Sequence, residues 1–204
     1  MSDRPERVEQ AATSPRPGSE APRARPLIQA DLLSKLFRVE RGLLKTPRLV
    51  QALDGVSLQV LRGEVVGVAG QTASGKSTLA GLLVRRLEPT LGRLLFDGQD
   101  FTHAPESALQ PLHRRLQLVP QDHDVVLAAD ATLQKLVGEP LGVAGVPKIE
   151  REGRARTLLR ELGLERLPLT RRAGELSLGQ RQQVVIARSL ALEPDVVVCD
   201  DALS

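Results

Sequence analysis

The order of apolar and polar residues predicts a chain that begins as an antiparallel sheet. After residue 26 the apolar residues are spaced as in short strands: Leu32, Leu33, Phe37, Leu53, Val56, Leu58 and Val60. Runs of this length and spacing are typical of paired strands. Residues 63–69 follow as a compact apolar run that leads into Gly70. Because this run has no polar alternation, it predicts a strand buried on both faces.

The rest of the pattern is mainly helical. We expect a helix over residues 76–87, a strand over residues 92–96 and a hairpin turn at Asp97 and Gly98. Between residues 130 and 192, apolar residues recur at helical spacing: Leu133, Leu136 and Val137, then Ala155, Leu158, Leu159 and Leu162. A last apolar run at residues 196–199 predicts a second buried strand, which ends at Asp200 and Asp201. Together these elements predict an α/β fold.

Composition separates residues 1–26 from this fold. The segment is rich in Pro, Arg, Glu, Ser and Ala and has no apolar periodicity, so burial cannot offset the entropy lost on ordering it. We expect a disordered tail over residues 1–26 and a folded domain over residues 27–204. Leu, Val and Ala must build the core of that domain, because the sequence has no Trp or Tyr and only three Phe.

Charge and cysteine content limit the class of protein. The net charge is +3, but the basic residues are dispersed, which argues against a nucleic-acid partner. The single cysteine, Cys199, cannot form an intramolecular disulfide, which is typical of a reducing compartment. No run reaches the roughly 18 to 20 apolar residues of a spanning helix, and the N-terminus has no apolar signal segment. We expect a cytoplasmic location, with membrane association only through a partner.

Residues 70–77 read GQTASGKS and fit the phosphate-loop pattern GxxxxGK[ST] between a strand and a helix. Glycines let the backbone turn tightly and direct N–H groups at phosphate oxygens, and the helix adds the positive end of its dipole. Lys76 is expected to reach the β- and γ-phosphates, and Ser77 to bind Mg²⁺. The residues predicted to bind nucleotide here are Gly70, Gln71, Thr72, Ala73, Ser74, Gly75, Lys76, Ser77 and Thr78.

A second motif narrows the family, because a phosphate loop also occurs in GTPases, small-molecule kinases and helicases. Residues 176–183 read LSLGQRQQ and precede a helical pattern that leads to the strand ending at Asp200. Taken alone, this string predicts only a helix N-cap. In this order with the phosphate loop and the Asp-Asp pair, it resembles the LSGGQ signature of ABC ATPases. The resemblance covers the chain from about residue 27 to its last residue.

The resemblance implies a P-loop NTPase core with an N-terminal antiparallel β subdomain and a helical signature subdomain over about residues 122–190. Shorter strings resemble the ATPase subunits of bacterial oligopeptide, dipeptide and nickel importers: LSKLF at residues 33–37, VQALDGV at 50–56, LEPT at 87–90, QD at 121–122, EPL at 139–141 and IARSLAL at 186–192. Such subunits use ATP and Mg²⁺ at the cytoplasmic face of the membrane. The implied partners are integral membrane permease subunits, a second identical or different ATP-binding subunit and, indirectly, an extracytoplasmic substrate-binding protein.

The resemblance also assigns roles to single residues. Ser177, Gly179 and Gln180 would contact ATP held by the phosphate loop of the second subunit. Gln121 would contact Mg²⁺ and the attacking water. Phe37 falls where the family places an aromatic ring against adenine, and a core position is the alternative for this residue.

The sequence departs from the family pattern at three places. Asp200 would hold Mg²⁺ through water, but Asp201 stands where the family usually has the catalytic glutamate. Because aspartate is one methylene shorter than glutamate, its carboxylate is withdrawn by roughly 1 Å from the position of the glutamate carboxylate. A shift of that size can slow a reaction about a hundredfold. Leu178 replaces the middle glycine of the signature. The family's switch histidine and later strands would lie beyond Ser204, so we expect an incomplete cassette that ends after the Walker B strand.

Two alternatives to a transport ATPase therefore stay open. The first is an ATP-binding fragment with little or no hydrolysis, which Asp201 and the missing histidine favour. The second is a soluble ABC ATPase that acts on DNA or ribosomes. Such proteins usually carry inserted arms or tandem ATPase halves, and this sequence has neither.

Overall fold

The computed structural model describes residues 25–39 and 48–201, which divide into two compact units. The first unit ends at Leu109 and the second begins at Gln110. The predicted disordered tail lies outside the described residues, apart from Arg25 and Pro26.

The first unit contains a four-stranded antiparallel sheet in the order β2-β1-β3-β4. Its strands are β1 (Ile28–Val39), β2 (Arg48–Val60), β3 (Leu91–Phe96) and β4 (Gln99–Asp100). The antiparallel pairing of β1 with β2 confirms the sheet predicted from the spacing of apolar residues. The predicted hairpin turn is also present, because φ is 53° at Asp97 and 80° at Gly98, and positive φ at both central residues is typical of a type I′ turn.

Helix α1 (Lys76–Leu83) packs against β1 and β2 and buries Leu79, Leu82 and Leu83. It ends four residues before the predicted end at residue 87. Arg85 has a φ of 54°, which no residue of a right-handed helix can adopt. The Leu87 N–H then donates to the carbonyl oxygen of Gly81 at 3.0 Å, so a hydrogen-bonded turn closes the helix.

Residues 63–69 form no strand, and the predicted buried strand is wrong for these residues. All seven are exposed, and Val65 is 96% exposed. A strand with two apolar faces is stable only when neighbours pair with its backbone and cover both faces. The apolar composition of the run does not by itself supply those neighbours.

The second unit contains a parallel pair of strands that the sequence predicted only in part. Strand β5 (Leu116–Val119) pairs in parallel with β6 (Val196–Cys199). Strand β6 was predicted as a buried strand. The strand is present, but its burial is not confirmed, because Val197 is 36% exposed and Cys199 is exposed. The pattern gave no prediction for β5 or for α2 (Glu106–Arg115), which contains the division between the units.

Three helices surround the core of the second unit: α3 (Leu133–Val143), α4 (Lys148–Glu161) and α5 (Leu178–Leu190). They confirm the helical prediction for residues 130–192. The apolar positions that carried this prediction are buried together, and they include Leu133, Leu136, Val137, Ala155 and Leu159. Within residues 25–39 and 48–201, no helix is long and apolar enough to cross a membrane.

Candidate nucleotide-binding site

The phosphate loop lies in the first unit and is held close to β2 by Gly75. This residue has a φ of 96° and serves as the N-cap of α1 without a side chain. A Cβ atom at Gly75 would lie 2.4 Å from the Ala52 carbonyl oxygen and 3.4 Å from Leu53 Cδ1. Only glycine combines this conformation with this approach, so the motif's second glycine fixes the loop against the sheet.

Lys76 gives the start of α1 an unusual charge. It is the first residue of the helix, where the dipole disfavours a cation, and no acidic residue lies in the first turn. Its Nζ donates to the carbonyl oxygens of Gly70 at 2.8 Å and Gln71 at 2.7 Å. A lysine beside exposed helix N–H groups, without a carboxylate, forms a site for an anion.

Ser74 adds a polar atom to the same loop. Its Oγ is buried and has no hydrogen-bond partner among the described residues. A buried hydroxyl without a partner costs about 1–3 kcal/mol, so an anion in the loop would relieve an existing cost. Ser77, the predicted Mg²⁺ ligand, is exposed on the first turn of α1.

Phe37 is half-buried on β1, so its ring is not fully enclosed in the core. The Nζ atom of Lys35 lies over this ring, 5.2 Å from its centroid. Phe37 was predicted to contact adenine, whereas Lys35 was not predicted to take part in the site. The spacing of two residues along one strand was a signal for such a pair, because side chains i and i+2 share a face of a strand.

The predicted catalytic residues meet in the second unit, at the carboxyl ends of β5 and β6. The Asp200 N–H donates to the Val119 carbonyl oxygen at 3.0 Å, which extends the parallel ladder beyond β6. One residue further, the Gln121 Nε2 donates to Asp201 Oδ2 at 3.1 Å. The structure thus brings together Gln121 and Asp201, which stand 80 residues apart in the sequence. In open α/β sheets, this edge is where ligands bind.

The signature motif begins α5 with a complete capping box. Ser177 is the N-cap, and its Oγ accepts a hydrogen bond from the Gln180 N–H at 3.3 Å. The Ser177 N–H in turn donates to Gln180 Oε1 at 3.0 Å. Leu178 is 71% exposed, and a Cβ atom at Gly179 would meet nothing within 4 Å. The motif therefore lies open on the surface of the second unit.

The comparison with protein families agrees with this combination of motifs. The sequence profile described as "ABC transporter" matches residues 53–204. The chain belongs to the ABC transporter family. The matched range contains the phosphate loop, the signature and the Asp-Asp pair.

Curated relatives of this ABC cassette are named for peptide import. It is 36% identical over 186 residues to the dipeptide transport ATP-binding protein DppF of Escherichia coli, which covers 91% of this chain and 56% of that protein. A protein of Brucella ovis named for peptide import and ATP binding is 37% identical over 180 residues, 88% of this chain and 55% of that protein. The cassette thus spans about half the length of these curated relatives.

Solved structures show the same fold. The dimeric structure of MJ0796, a bacterial ABC transporter cassette, has a TM-score of 0.76 at 27% identity and covers 87% of this chain and 76% of that chain. A dimeric post-hydrolysis state of MJ0796 bound to ADP and Pi also has a TM-score of 0.76, at 26% identity over 86% of this chain and 74% of that one. These neighbours confirm the predicted P-loop NTPase fold.

The side chains predicted to bind Mg²⁺ are Ser77, Gln121 and Asp200. Hydroxyl, amide and carboxylate oxygens are hard donors of the kind that Mg²⁺ binds together with water and phosphate. Among the described residues, no group of three or more His, Cys, Asp or Glu side chains could hold a metal ion. The oxygen donors of Ser77, Gln121 and Asp200 therefore match the chemistry of Mg²⁺.

Proposed function

We propose that this cassette binds Mg-ATP at residues 70–78 and uses it to drive transport through membrane-spanning partner subunits. The observation that carries the proposal is the start of α1. There, Gly75 brings the loop against β2, Lys76 supplies a cation at the positive helix end, and Ser74 has a buried hydroxyl with no acceptor or donor among the described residues. An ordinary turn before a helix needs none of these features, and each favours a bound phosphate.

In this proposal the phosphates complete the Mg²⁺ site. Ser77 and Asp200 would supply oxygen ligands to Mg²⁺, directly or through water, and the bound ion would supply positive charge against the transferred phosphoryl group. Gln121 and Asp201 orient the attacking water. Their hydrogen bond of 3.1 Å supports a shared role, because it fixes the carboxylate relative to the amide.

The signature motif acts on a second subunit. The capping box uses the acceptor oxygen of Ser177, which leaves its O–H and the first helix N–H groups for a ligand. Such donors at an open helix start suit the γ-phosphate of ATP. The dimeric MJ0796 structures support a two-subunit arrangement. We propose that Ser177, Gly179 and Gln180 of one subunit contact ATP on the other.

Peptides are the transported class that the relatives support. The Escherichia coli and Brucella ovis proteins are named for dipeptide and peptide transport, and neither name mentions nickel. The proposed partners are permease subunits, a second ATP-binding subunit and an extracytoplasmic substrate-binding protein that acts through the permease. The cassette would work at the cytoplasmic face of the membrane.

The test of the ATP site compares two lysines in equivalent helix positions. Lys76 is the first residue of α1 and Lys148 is the first residue of α4, outside the motif. Lys76→Ala should weaken Mg-ATP binding at least tenfold, because charge-assisted contacts to two phosphates are lost. Lys148→Ala should bind as the parent does. Titration calorimetry measures both, and equal ATP affinity in folded Lys76→Ala and parent would refute the site.

A nucleotide-binding module without turnover is the second candidate. It is favoured by the shorter Asp201 side chain and by the bond from Gln121, which occupies one of its carboxylate oxygens. A phosphate-release assay on parent and Asp201→Asn separates the two functions. Release by the parent that is lost in Asp201→Asn supports an enzyme, whereas Mg-ATP binding without release by either protein supports the module.

A further inference from the structure

The contact between Lys35 and Phe37 lies outside the motifs that identify the family. The ammonium group of Lys35 is 5.2 Å from the centroid of the Phe37 ring, which is within the range of a cation–π interaction. One face of the ring is therefore covered by a cation. The ring as a whole is only half-buried, so part of it stays accessible.

Lys35 is held in this place by the segment that follows α1. Its Nζ donates to the Glu88 carbonyl oxygen at 2.6 Å. Two further hydrogen bonds join the same segment to β1: the Leu36 N–H donates to Thr90 Oγ1 at 3.0 Å, and the Thr90 N–H donates to the Ser34 carbonyl oxygen at 2.9 Å. Thr90 of the string LEPT (residues 87–90) therefore holds the strand that carries Phe37, and the Glu88 carbonyl oxygen orients Lys35.

The same pair is connected to the phosphate loop by direct packing. Gly75 lies against Ala52 and Leu53 of β2. Leu53 is buried and is the cross-strand partner of Lys35. Directly opposed residues in an antiparallel pair are about 4.5–5.5 Å apart at Cα, and residues i and i+2 are about 7 Å apart along a strand. Phe37 is therefore within the reach of a nucleotide whose phosphates occupy the loop.

We propose that Lys35 is a positioning residue for the nucleotide base: it covers one face of Phe37 and so presents the other face for stacking. The proposal rests on the function proposed above, in which the phosphate loop binds ATP and Phe37 contacts adenine. A half-buried ring that is already held in place loses less conformational freedom when a base stacks on it. The cation also fixes which face is offered. Lys35 thereby contributes to the affinity for the base and not to that for the phosphates.

The test separates base binding from phosphate binding with two probes, Mg-ATP and Mg-tripolyphosphate. Lys35→Met keeps an unbranched side chain that is one atom shorter, and it removes the charge and the donor to Glu88. We expect it to weaken Mg-ATP binding about two- to fivefold, which corresponds to the ~0.5–1 kcal/mol of an exposed cation–π contact, and to leave tripolyphosphate binding unchanged. Lys35→Arg, which retains a cation and a donor, should bind Mg-ATP with the affinity of the parent. Lys148→Met is the control for loss of an exposed lysine elsewhere.

Phe37→Ala makes the outcomes distinguishable. If Phe37→Ala weakens ATP binding but Lys35→Met does not, the inference about Lys35 is overturned and the proposed ATP site stands. If Lys35→Met weakens binding of both probes equally, its effect is on the phosphate loop, and the positioning role is also overturned. If neither variant changes ATP affinity while Lys76→Ala abolishes it, the base does not stack on Phe37. The inference about Lys35 then fails, but the proposed ATP site stands.

Discussion

The contact between Gly75 and β2 allows a prediction whose size follows from the structure. Gly75→Ala adds a Cβ atom at a φ of 96°, 2.4 Å from the Ala52 carbonyl oxygen. A left-handed conformation costs an L-residue about 1–2 kcal/mol, and forcing extra atoms into a packed site costs about 1–3 kcal/mol more. The backbone oxygen cannot rotate away as a side chain could. We therefore expect Gly75→Ala to lower the free energy of unfolding by about 2–5 kcal/mol.

Gly98 provides the matched control, because it has a φ of 80° but nothing lies within 4 Å of an added Cβ. Gly98→Ala should cost only the conformational term of about 1–2 kcal/mol. The difference between the two variants measures the steric contact alone. Gly75→Ala should also weaken Mg-ATP binding, since the loop must move away from β2 to relieve the contact, and Gly98→Ala should not.

The assay is urea unfolding followed by far-ultraviolet circular dichroism, because the sequence has no Trp or Tyr for intrinsic fluorescence. Mg-ATP affinity is measured by calorimetry on the same samples. Equal free energies of unfolding for Gly75→Ala and Gly98→Ala would refute the reasoning, since the close approach to Ala52 would then contribute nothing. Unchanged ATP affinity in Gly75→Ala would refute the link between this contact and the shape of the loop.

Three further predictions concern the signature and the hairpin. Ser177→Asp keeps an N-cap acceptor, so its free energy of unfolding should stay within about 0.5 kcal/mol of the parent. Because it places a negative charge toward the γ-phosphate, ATP-driven dimerisation measured by sedimentation should be lost. Dimerisation equal to that of the parent would contradict the role of Ser177 toward a second subunit. Gly179→Ala should raise stability by about 0.5–1 kcal/mol, because alanine is the better helix former and its Cβ meets nothing within 4 Å, and a loss of stability would contradict the open geometry. Hydrogen bonds from the Thr102 hydroxyl and N–H and from Arg93 lower the pKa of Asp100 from 3.8 to about 2, so the stabilisation they give is present above pH 3.8 and is lost as the pH falls through about 2. The urea midpoint of Asp100→Asn should therefore fall less steeply than that of the parent between pH 5 and pH 2. Parallel decreases in the two proteins would contradict this prediction.

Elements with a repeating local signal were predictable from the sequence. The short strand-like runs of apolar residues predicted β1 and β2, and the helical spacing at Leu133, Leu136 and Val137 predicted α3. Strand β5 has only four residues, too few for a period to be recognised. Helix α2 contains Pro111, which disfavours a helical interpretation. These two elements became visible only through their pairing and packing.

The candidate site also combines residues that a local motif indicates with residues that only long-range contacts bring together. The phosphate loop is one continuous string, so its glycines, Lys76 and Ser77 could be identified directly. The bond between Gln121 and Asp201 depends on the parallel pairing of β5 with β6, which the sequence did not predict because β5 was missed. The bond from Lys35 to Glu88 joins residues 53 positions apart, and no local pattern indicates such a contact.

The capping box at Ser177 is compatible with the binding role that we propose for the same motif. Taken alone, LSLGQ predicts a helix cap, and the structure confirms that cap. The cap uses the lone pair of Ser177 Oγ and the oxygen of Gln180, both as acceptors. A phosphate has no hydrogen to donate, so it needs donors instead, namely the Ser177 O–H and the N–H groups of Leu178 and Gly179 at the helix start. Because the two roles use opposite hydrogen-bonding capacities, the cap holds the helix start in place without competing with a nucleotide for the same atoms.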